Sequence, residues 1–383
     1  MQHLISVYNG IDCPDVWRPL LSGKRAGLVT NPSGVDRSLR LTSDLLHEAG
    51  VLCCLFSPEH GVRGDRQAGD HVATYTDERT GLPVYSLYGG SHHIPREVMD
   101  TLDAVVFDIQ DVGARFYTYI YTLSYVMEDC AAADKEVIIL DRLNPLGGAA
   151  PEGTVLQRAF SSFVGRYPIA TRHNLTVGEF ARYINDTEHI GCRLTVIPVR
   201  GWSRGVQFCD TDLSFIPPSP NIPTHASALC YIGTCLSEGT NLSEGRGTTR
   251  PFEMIGAPWL ESERVVDHMR ALALPGVRFR PCCFTPTFSK HAGVMCRAVA
   301  LHVTDPSVFR PFESALRLFD YIRRTHPDFA LTPPDSRGIR FIDRLLGCDD
   351  FSREDFDPDV LLHRQAALLA DYATAIRPYY LYD

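Results

Sequence analysis

Glu59, His60 and Arg63 stand within five residues of one another, in the stretch Ser57-Pro58-Glu59-His60-Gly61-Val62-Arg63-Gly64-Asp65. A carboxyl group can transfer protons, and an imidazole and a guanidinium can bind anions or orient a substrate. Core packing has no use for that mixture. A loop at the carboxyl end of a strand, where α/β proteins place their chemistry, has. Two further stretches repeat the event: Asp108-Ile109-Gln110-Asp111-Val112-Gly113-Ala114-Arg115-Phe116-Tyr117 and Asp141-Arg142-Leu143-Asn144-Pro145. Each alone fits a solvated turn closed by its own ion pairs. Three of them delivered to one edge favour a site.

The elements that must position these groups are legible as apolar runs. Val51 to Phe56, Asp103 to Ile109 and Val137 to Leu140 each end where a polar stretch begins. Continuous apolar strands are buried on both faces, which implies a parallel sheet covered by helices. A further strand is expected over 26–30, ending in the turn signal Asn31-Pro32-Ser33-Gly34. Helices are expected over 38–49 and 118–133. The alternation of strand and helix predicts a doubly wound α/β sheet with right-handed crossovers.

Later, Thr176 and Glu179 stand at capping-box spacing before a helix, and a strand is expected over 193–199. Positions 216–224, Ile-Pro-Pro-Ser-Pro-Asn-Ile-Pro-Thr, hold four prolines in nine residues and can be neither helix nor central strand. This segment is a rigid linker or a rigid cleft wall. The domain boundary is placed there, giving domains over 1–225 and 226–383. Helices are expected over 311–325 and 358–376, and the terminal tyrosines should pack down.

The totals exclude several classes. A net charge of -9 without a basic block argues against nucleic acid as a partner. No apolar run approaches the roughly 20 residues of a membrane span. The twelve cysteines include no C-x-x-C motif and read as reduced thiols. The first residues lack a basic and apolar leader, so a cytoplasmic location is expected, with an exported precursor as the alternative.

Metal-ligand, P-loop, dinucleotide and Ser-nucleophile motifs are absent, and no cofactor or metal is expected. Asp108 resembles the nucleophile of a haloacid-dehalogenase phosphatase, but Gln110 stands where that chemistry needs a second Asp. Glycoside hydrolysis fits better. It needs carboxyl groups and aromatic surfaces for sugar rings, and Tyr85, Tyr88, Tyr117, Tyr119 and Tyr121 lie in the same half. Asn and Gln at strand ends suit hydroxyl and amide recognition.

The runs GLVTNPSGVD, LFSPEHGVRGDRQAGDHV, VVFDIQDVGARFYTYIYTL, LDRLNPLGG, PPSPNIPT, CLSEGTNLSEGRGTTRPFEMIGAPW and PTFSKHAG together resemble the exo-β-N-acetylmuramidase family of NamZ type. The resemblance covers most of the chain. It implies a Rossmann-like catalytic domain and a smaller C-terminal α/β domain. It also implies release of N-acetylmuramic acid from the non-reducing ends of peptidoglycan fragments, and it places the catalytic glutamate at Glu59.

On that reading Glu59 is the general acid. Asp108, and after it Asp111, are candidates for the second carboxyl role, unless the substrate's own acetamido group attacks. Tyr117 would steady the sugar or the developing charge. Muramic acid carries a lactyl carboxylate, and a planar guanidinium matches a carboxylate bidentately. Arg63 and Arg115 lead as its readers, with Arg142, Arg246 and Arg250 behind them. His60, Gln110, Asn144, Asn221 and Glu244 are further candidate substrate contacts. The competing readings are a non-catalytic peptidoglycan- or sugar-binding protein and a hydrolase of another class, acting on a phosphate or acyl group.

Overall fold

A computed structural model describes residues 4–59, 61–64, 74–89, 91–148 and 150–383. The apolar runs become the strands β1 (Ala26–Thr30), β2 (Leu52–Ser57), β3 (Tyr75–Thr76), β4 (Pro83–Ser86), β5 (Ala104–Asp108) and β6 (Glu136–Leu140). Glu152–Val155 (β7) and Ala170–Arg172 (β8) pair as a separate antiparallel hairpin, and Arg193–Ile197 (β9) returns to the main sheet. That sheet runs β3-β4-β2-β1-β5-β6-β9. All its neighbours are parallel except β3 with β4. Taken in chain sequence, the six parallel strands lie third, second, first, fourth, fifth, sixth, the doubly wound Rossmann order. Every residue of β1 and β5 is buried, as strands covered on both faces require.

The helices are α1 (Pro14–Leu21), α2 (Thr42–Glu48), α3 (Arg96–Met99), α4 (Tyr119–Ala132) and α5 (Val177–Thr187), then α6 (His225–Thr234), α7 (Ser262–Ala271), α8 (Pro311–Thr325), α9 (Phe341–Leu346) and α10 (Pro358–Ile376). α5 starts at the expected capping box. Thr176 Oγ1 accepts from the Glu179 amide, and Glu179 accepts from the Thr176 amide. α2 is shorter than the apolar spacing suggested. The Asp36 carboxylate takes the amides of Ser38 and Arg40 at 2.9 and 2.8 Å, and Leu39 adopts φ 62°. An Asp that captures nearby amides offers the backbone an alternative to helix, so the helix waits until Thr42. None of the described helices is long and apolar enough to cross a membrane.

In the second half, β10 (Met254–Ala257), β11 (Val277–Phe284) and β12 (Cys296–Val303) form an antiparallel sheet of order β10-β12-β11, accompanied by α6 to α10. The two halves share their largest core. One cluster of buried side chains runs from Phe56, Val105 and Phe116 through Tyr231 and Phe252 to Phe312 and Leu346. The β7–β8 hairpin belongs to the first half in sequence but packs on the second. The Val155 amide donates to Gln365 and the Phe312 amide to Glu152. The chain end is also tied down: Tyr382 donates from its hydroxyl to Asp141 at 2.6 Å.

Candidate active site

The loops after β2, β4 and β5 meet the second half of the chain around a cavity of about 230 Å³, lined by Glu59, Tyr88, Phe116, Tyr117, Thr118, Tyr119, Phe163, Val164, Ser219, Tyr231, Glu238 and Arg246. This is the carboxyl edge of the sheet, where doubly wound folds bind ligands. Much of the lining is aromatic. Tyr117 packs edge-on against Tyr119 at 5.0 Å and against Tyr231 at 6.0 Å, and Phe116 meets Tyr231 edge-on at 5.1 Å. Phe163, in the β7–β8 loop, is held by His92, stacked at 4.4 Å. Two-sided aromatic surfaces of this kind suit the apolar faces of a sugar ring. Ser219 brings the proline-rich segment into the wall, so that segment is a cleft wall. It is anchored by Pro218, whose carbonyl accepts from Asn31 Nδ2 at 2.9 Å and from the Tyr119 hydroxyl at 3.0 Å.

Glu59 leaves the end of β2 directly into this cavity. The Tyr88 hydroxyl is hydrogen-bonded to its carboxyl group; burial, then the Glu59 charge, hold the Tyr88 phenol above its ordinary range. Tyr117 and Tyr119 are pushed up too, by burial first, with Glu59 among the further causes. All three phenols therefore stay protonated; the Tyr119 hydroxyl donates to the Pro218 carbonyl and the Tyr88 hydroxyl is bonded to Glu59. The Tyr117 hydroxyl is buried and has no well-formed hydrogen bond among the described residues.

The opposite part of the lining is charged. Arg246 Nη2 donates to Glu238 at 2.7 Å, and its Nε lies 3.3 Å from Glu244. The guanidinium carbon sits 5.1 Å from the centre of the Phe252 ring. Behind it, Lys290 Nζ reaches Glu244 at 3.2 Å and the carbonyls of Ser237 and Leu242 at 2.7 and 2.9 Å. Gly247 makes the turn that follows Arg246 possible. Its φ is +78°, and a Cβ there would lie 2.7 Å from the Phe288 amide nitrogen. Burial opposes the charge on Arg246, but Glu238 and then Glu244 outweigh it and hold the guanidinium protonated.

Of the residues singled out in the sequence, Glu59, Tyr88, Tyr117, Tyr119 and Arg246 line the cavity. Glu244 stands behind Arg246. His60 lies outside the described residues. The others are placed elsewhere, for physical reasons. Asp108, expected as the second carboxyl group, is fully buried and holds Arg142 through Nε at 2.5 Å and Nη2 at 2.9 Å, with the Thr42 hydroxyl also donating to it. Asp111 accepts from the Gly113 amide at 2.7 Å and contacts His173 Nε2 at 3.1 Å. Both serve the strand-end loops as structural acceptors.

Arg115, expected to read a substrate carboxylate, is fully buried and donates to the carbonyls of Thr154, Ile169, Leu345 and Leu346. Burial lowers its pKa to about 10. It is a clamp between the two halves of the chain. Arg63 is taken by Asp77 at 2.5 and 2.8 Å and by Asp44 at 2.9 Å. Arg250 is taken by Glu253 at 2.6 Å.

Gln110 and Asn144 spend their amides on backbone: Gln110 on Asp111 and Leu143, Asn144 on Leu175 and Leu146. Asn221 is buried in the proline-rich segment, off the cavity lining. Gln110 and Arg142 line a separate cleft of about 60 Å³ beside Arg37 and Asp212. That is about a quarter of the volume of the cavity at Glu59. Glu238 and Tyr231 were not singled out in the sequence. Glu238-Gly239 does repeat the pair Glu244-Gly245 in the same motif, which was a signal available to be read.

Two family models match the chain: exo-β-N-acetylmuramidase NamZ, N-terminal, over residues 26–226, and exo-β-N-acetylmuramidase NamZ, C-terminal, over residues 229–382. A peptidoglycan β-N-acetylmuramidase NamZ of Bacillus subtilis (strain 168) is 49% identical over 326 residues, which are 84% of this chain and 78% of that protein. Two crystal structures of DUF1343 family proteins from Bacteroides fragilis NCTC 9343 share the fold. One is 35% identical with a TM-score of 0.90, over 99% of this chain and 100% of that one. The other is 28% identical with a TM-score of 0.79, over 99% of both chains.

Proposed function

This chain belongs to the NamZ family of exo-β-N-acetylmuramidases, and on that premise we propose that Glu59 is its general acid and Arg246 its reader of the muramyl carboxylate. The protein is a glycosidase of peptidoglycan, an exo-acting hydrolase that releases N-acetylmuramic acid from the non-reducing ends of peptidoglycan fragments.

One observation carries the assignment of roles. Glu59, Tyr117 and Arg246 line one cavity, while Arg63, Arg115 and Arg142 are committed to other partners. In the proposed step the Glu59 carboxyl protonates the glycosidic oxygen as the bond to the anomeric carbon lengthens. Tyr117, still protonated, donates to an oxygen of the sugar. Arg246 donates to the lactyl carboxylate from the part of its guanidinium that Glu238 and Glu244 do not occupy.

The test is hydrolysis of the disaccharide of N-acetylmuramic acid and N-acetylglucosamine by wild type and Glu59→Gln. A non-catalytic sugar-binding protein would bind the disaccharide and leave it intact in both. The division into domains at about residue 225 is our reading; the boundary between the two matched models supports it. A reducing, cytoplasmic location is supported by the twelve cysteines, all free.

A further inference from the structure

The reaction needs a second group besides the acid, and the two aspartates nominated from sequence are committed elsewhere. Asp108 is closed on Arg142 and Thr42, and Asp111 on Gly113 and His173. Among the described residues, the carboxyl groups that line the cavity are those of Glu59 and Glu238. They come from different halves of the chain, Glu59 from the end of β2 and Glu238 from the turn after α6. Resting on the reading that this cavity is the muramidase site, we propose that Glu238 is the catalytic proton acceptor for the group that attacks the anomeric carbon.

Three observations support this. First, the carboxyl group is accessible: the Glu238 side chain keeps 22% of its surface, against 0% for Asp108 and 6% for Asp111. Second, it is oriented. Arg246 Nη2 holds Oε1 at 2.7 Å, which fixes the side chain, and among the described residues no donor occupies Oε2. Third, its charged and titratable surroundings suit a base. Burial pushes its pKa up, Arg246 and Lys290 pull it down and Glu244 pushes it up, with a net rise. Tyr231 and Cys235 also face it, and both are held protonated by burial. A carboxylate whose proton affinity is raised in this way is a stronger base.

The step balances. The oxygen of an attacking water bonds to the anomeric carbon and its proton passes to Glu238. The glycosidic C–O bond breaks, and the leaving oxygen takes the proton of Glu59. The two carboxyl groups then exchange protons with solvent. If the substrate's acetamido oxygen attacks first, the proton Glu238 accepts is that of the amide nitrogen; water then bonds to the anomeric carbon, the bond from the acetamido oxygen breaks, Glu238 returns its proton to the nitrogen and Glu59 takes the proton of the water.

The experiment is the pH dependence of kcat for the full chain on a chromogenic N-acetylmuramide, in wild type, Glu238→Gln and Arg246→Met. Wild-type turnover must be present, and its absence would sink the muramidase reading itself. Given turnover, Glu238→Gln should lower kcat by about 10²- to 10⁴-fold, with KM nearly unchanged, and should remove the acidic limb of the profile. Arg246→Met removes the neighbouring positive charge, so the acidic limb should move to higher pH; this variant decides the matter if Glu238→Gln does not fold. An acidic limb that persists in Glu238→Gln, or stays in place in Arg246→Met, overturns the proposal. So does a glycosyl-enzyme trapped on Glu238 by a fluorinated substrate analogue, which would make the residue a nucleophile.

Discussion

Asp108 and Arg142 leave the carboxyl ends of adjacent strands and close on each other at 2.5 and 2.9 Å, with 0% and 4% of their side chains exposed. A pair so placed stiffens the edge of the sheet on which the loop after β5 is built. It also commits two of the residues best suited to chemistry to each other.

Asp108→Asn should therefore act on stability. Removing one partner of a buried pair leaves the other charge uncompensated, at a cost of roughly 3–5 kcal/mol. Urea unfolding should show that loss, while kcat per folded molecule stays within a few-fold of wild type. A fall in kcat by decades in fully folded protein would return Asp108 to the catalytic set.

Glu59→Gln should do the opposite. The amide keeps the shape but has no proton to transfer, so turnover of an unactivated disaccharide should drop by about two to four decades. The melting temperature should barely move. A substrate with a good leaving group needs less help from an acid and should lose less rate, so the ratio of the two losses checks the role.

Arg246 should carry selectivity for muramic acid over N-acetylglucosamine. A charge-assisted bond of about 1.5–3 kcal/mol corresponds to roughly ten- to a hundredfold in the ratio of specificity constants. Arg246→Met should erase most of that preference, and Arg246→Lys should restore it poorly because Lys lacks the planar fork. Arg63→Met, which breaks the pair with Asp77 instead, should leave the ratio at the wild-type value. Equal ratios in all three variants would assign selectivity to pocket shape.

The buried carboxyl group of Asp141 gives a pH-dependent stability. It accepts from Tyr382, Thr176 and Gly178 at 2.6, 2.7 and 2.8 Å, yet burial outweighs those bonds and raises its pKa to about 6 from 3.8. A raised carboxyl pKa means that the stabilising contribution is complete below about 4, is lost between about 4 and 6 at about 1.4 kcal/mol per unit, and changes no further above that. Asp141→Asn does not titrate. Its stability relative to wild type should therefore improve by about 3 kcal/mol between pH 4 and pH 7, measured by urea unfolding at each pH. A difference that is flat with pH would place the Asp141 pKa at its ordinary value.

The sequence alone carried the α/β sheet, because buried parallel strands need unbroken apolar runs and β1, β2, β5 and β6 have them. It carried the capping box at Thr176, the helices over 311–325 and 358–376, and Glu59 at the end of a strand, since these are local properties of spacing and propensity. Its error over 38–49 was also local: an Asp side chain competing with the helix for backbone amides.

What sequence order could not decide was commitment. Arg63, Arg115, Arg142 and Arg246 are equally plausible as residues. Which of them faces a substrate depends on acceptors brought from distant positions, such as the carbonyls of Leu345 and Leu346 on Arg115 or the carboxylate of Asp108 on Arg142. The same holds for the second carboxyl group. Asp108 stood nearer to Glu59 in the sequence-based reading, yet Glu238 joins Glu59 at the cavity because the two halves of the chain fold onto one shared core. A charged side chain buried without a partner is costly, so folding assigns the partners first. Chemistry is left to the groups that remain at the cavity surface.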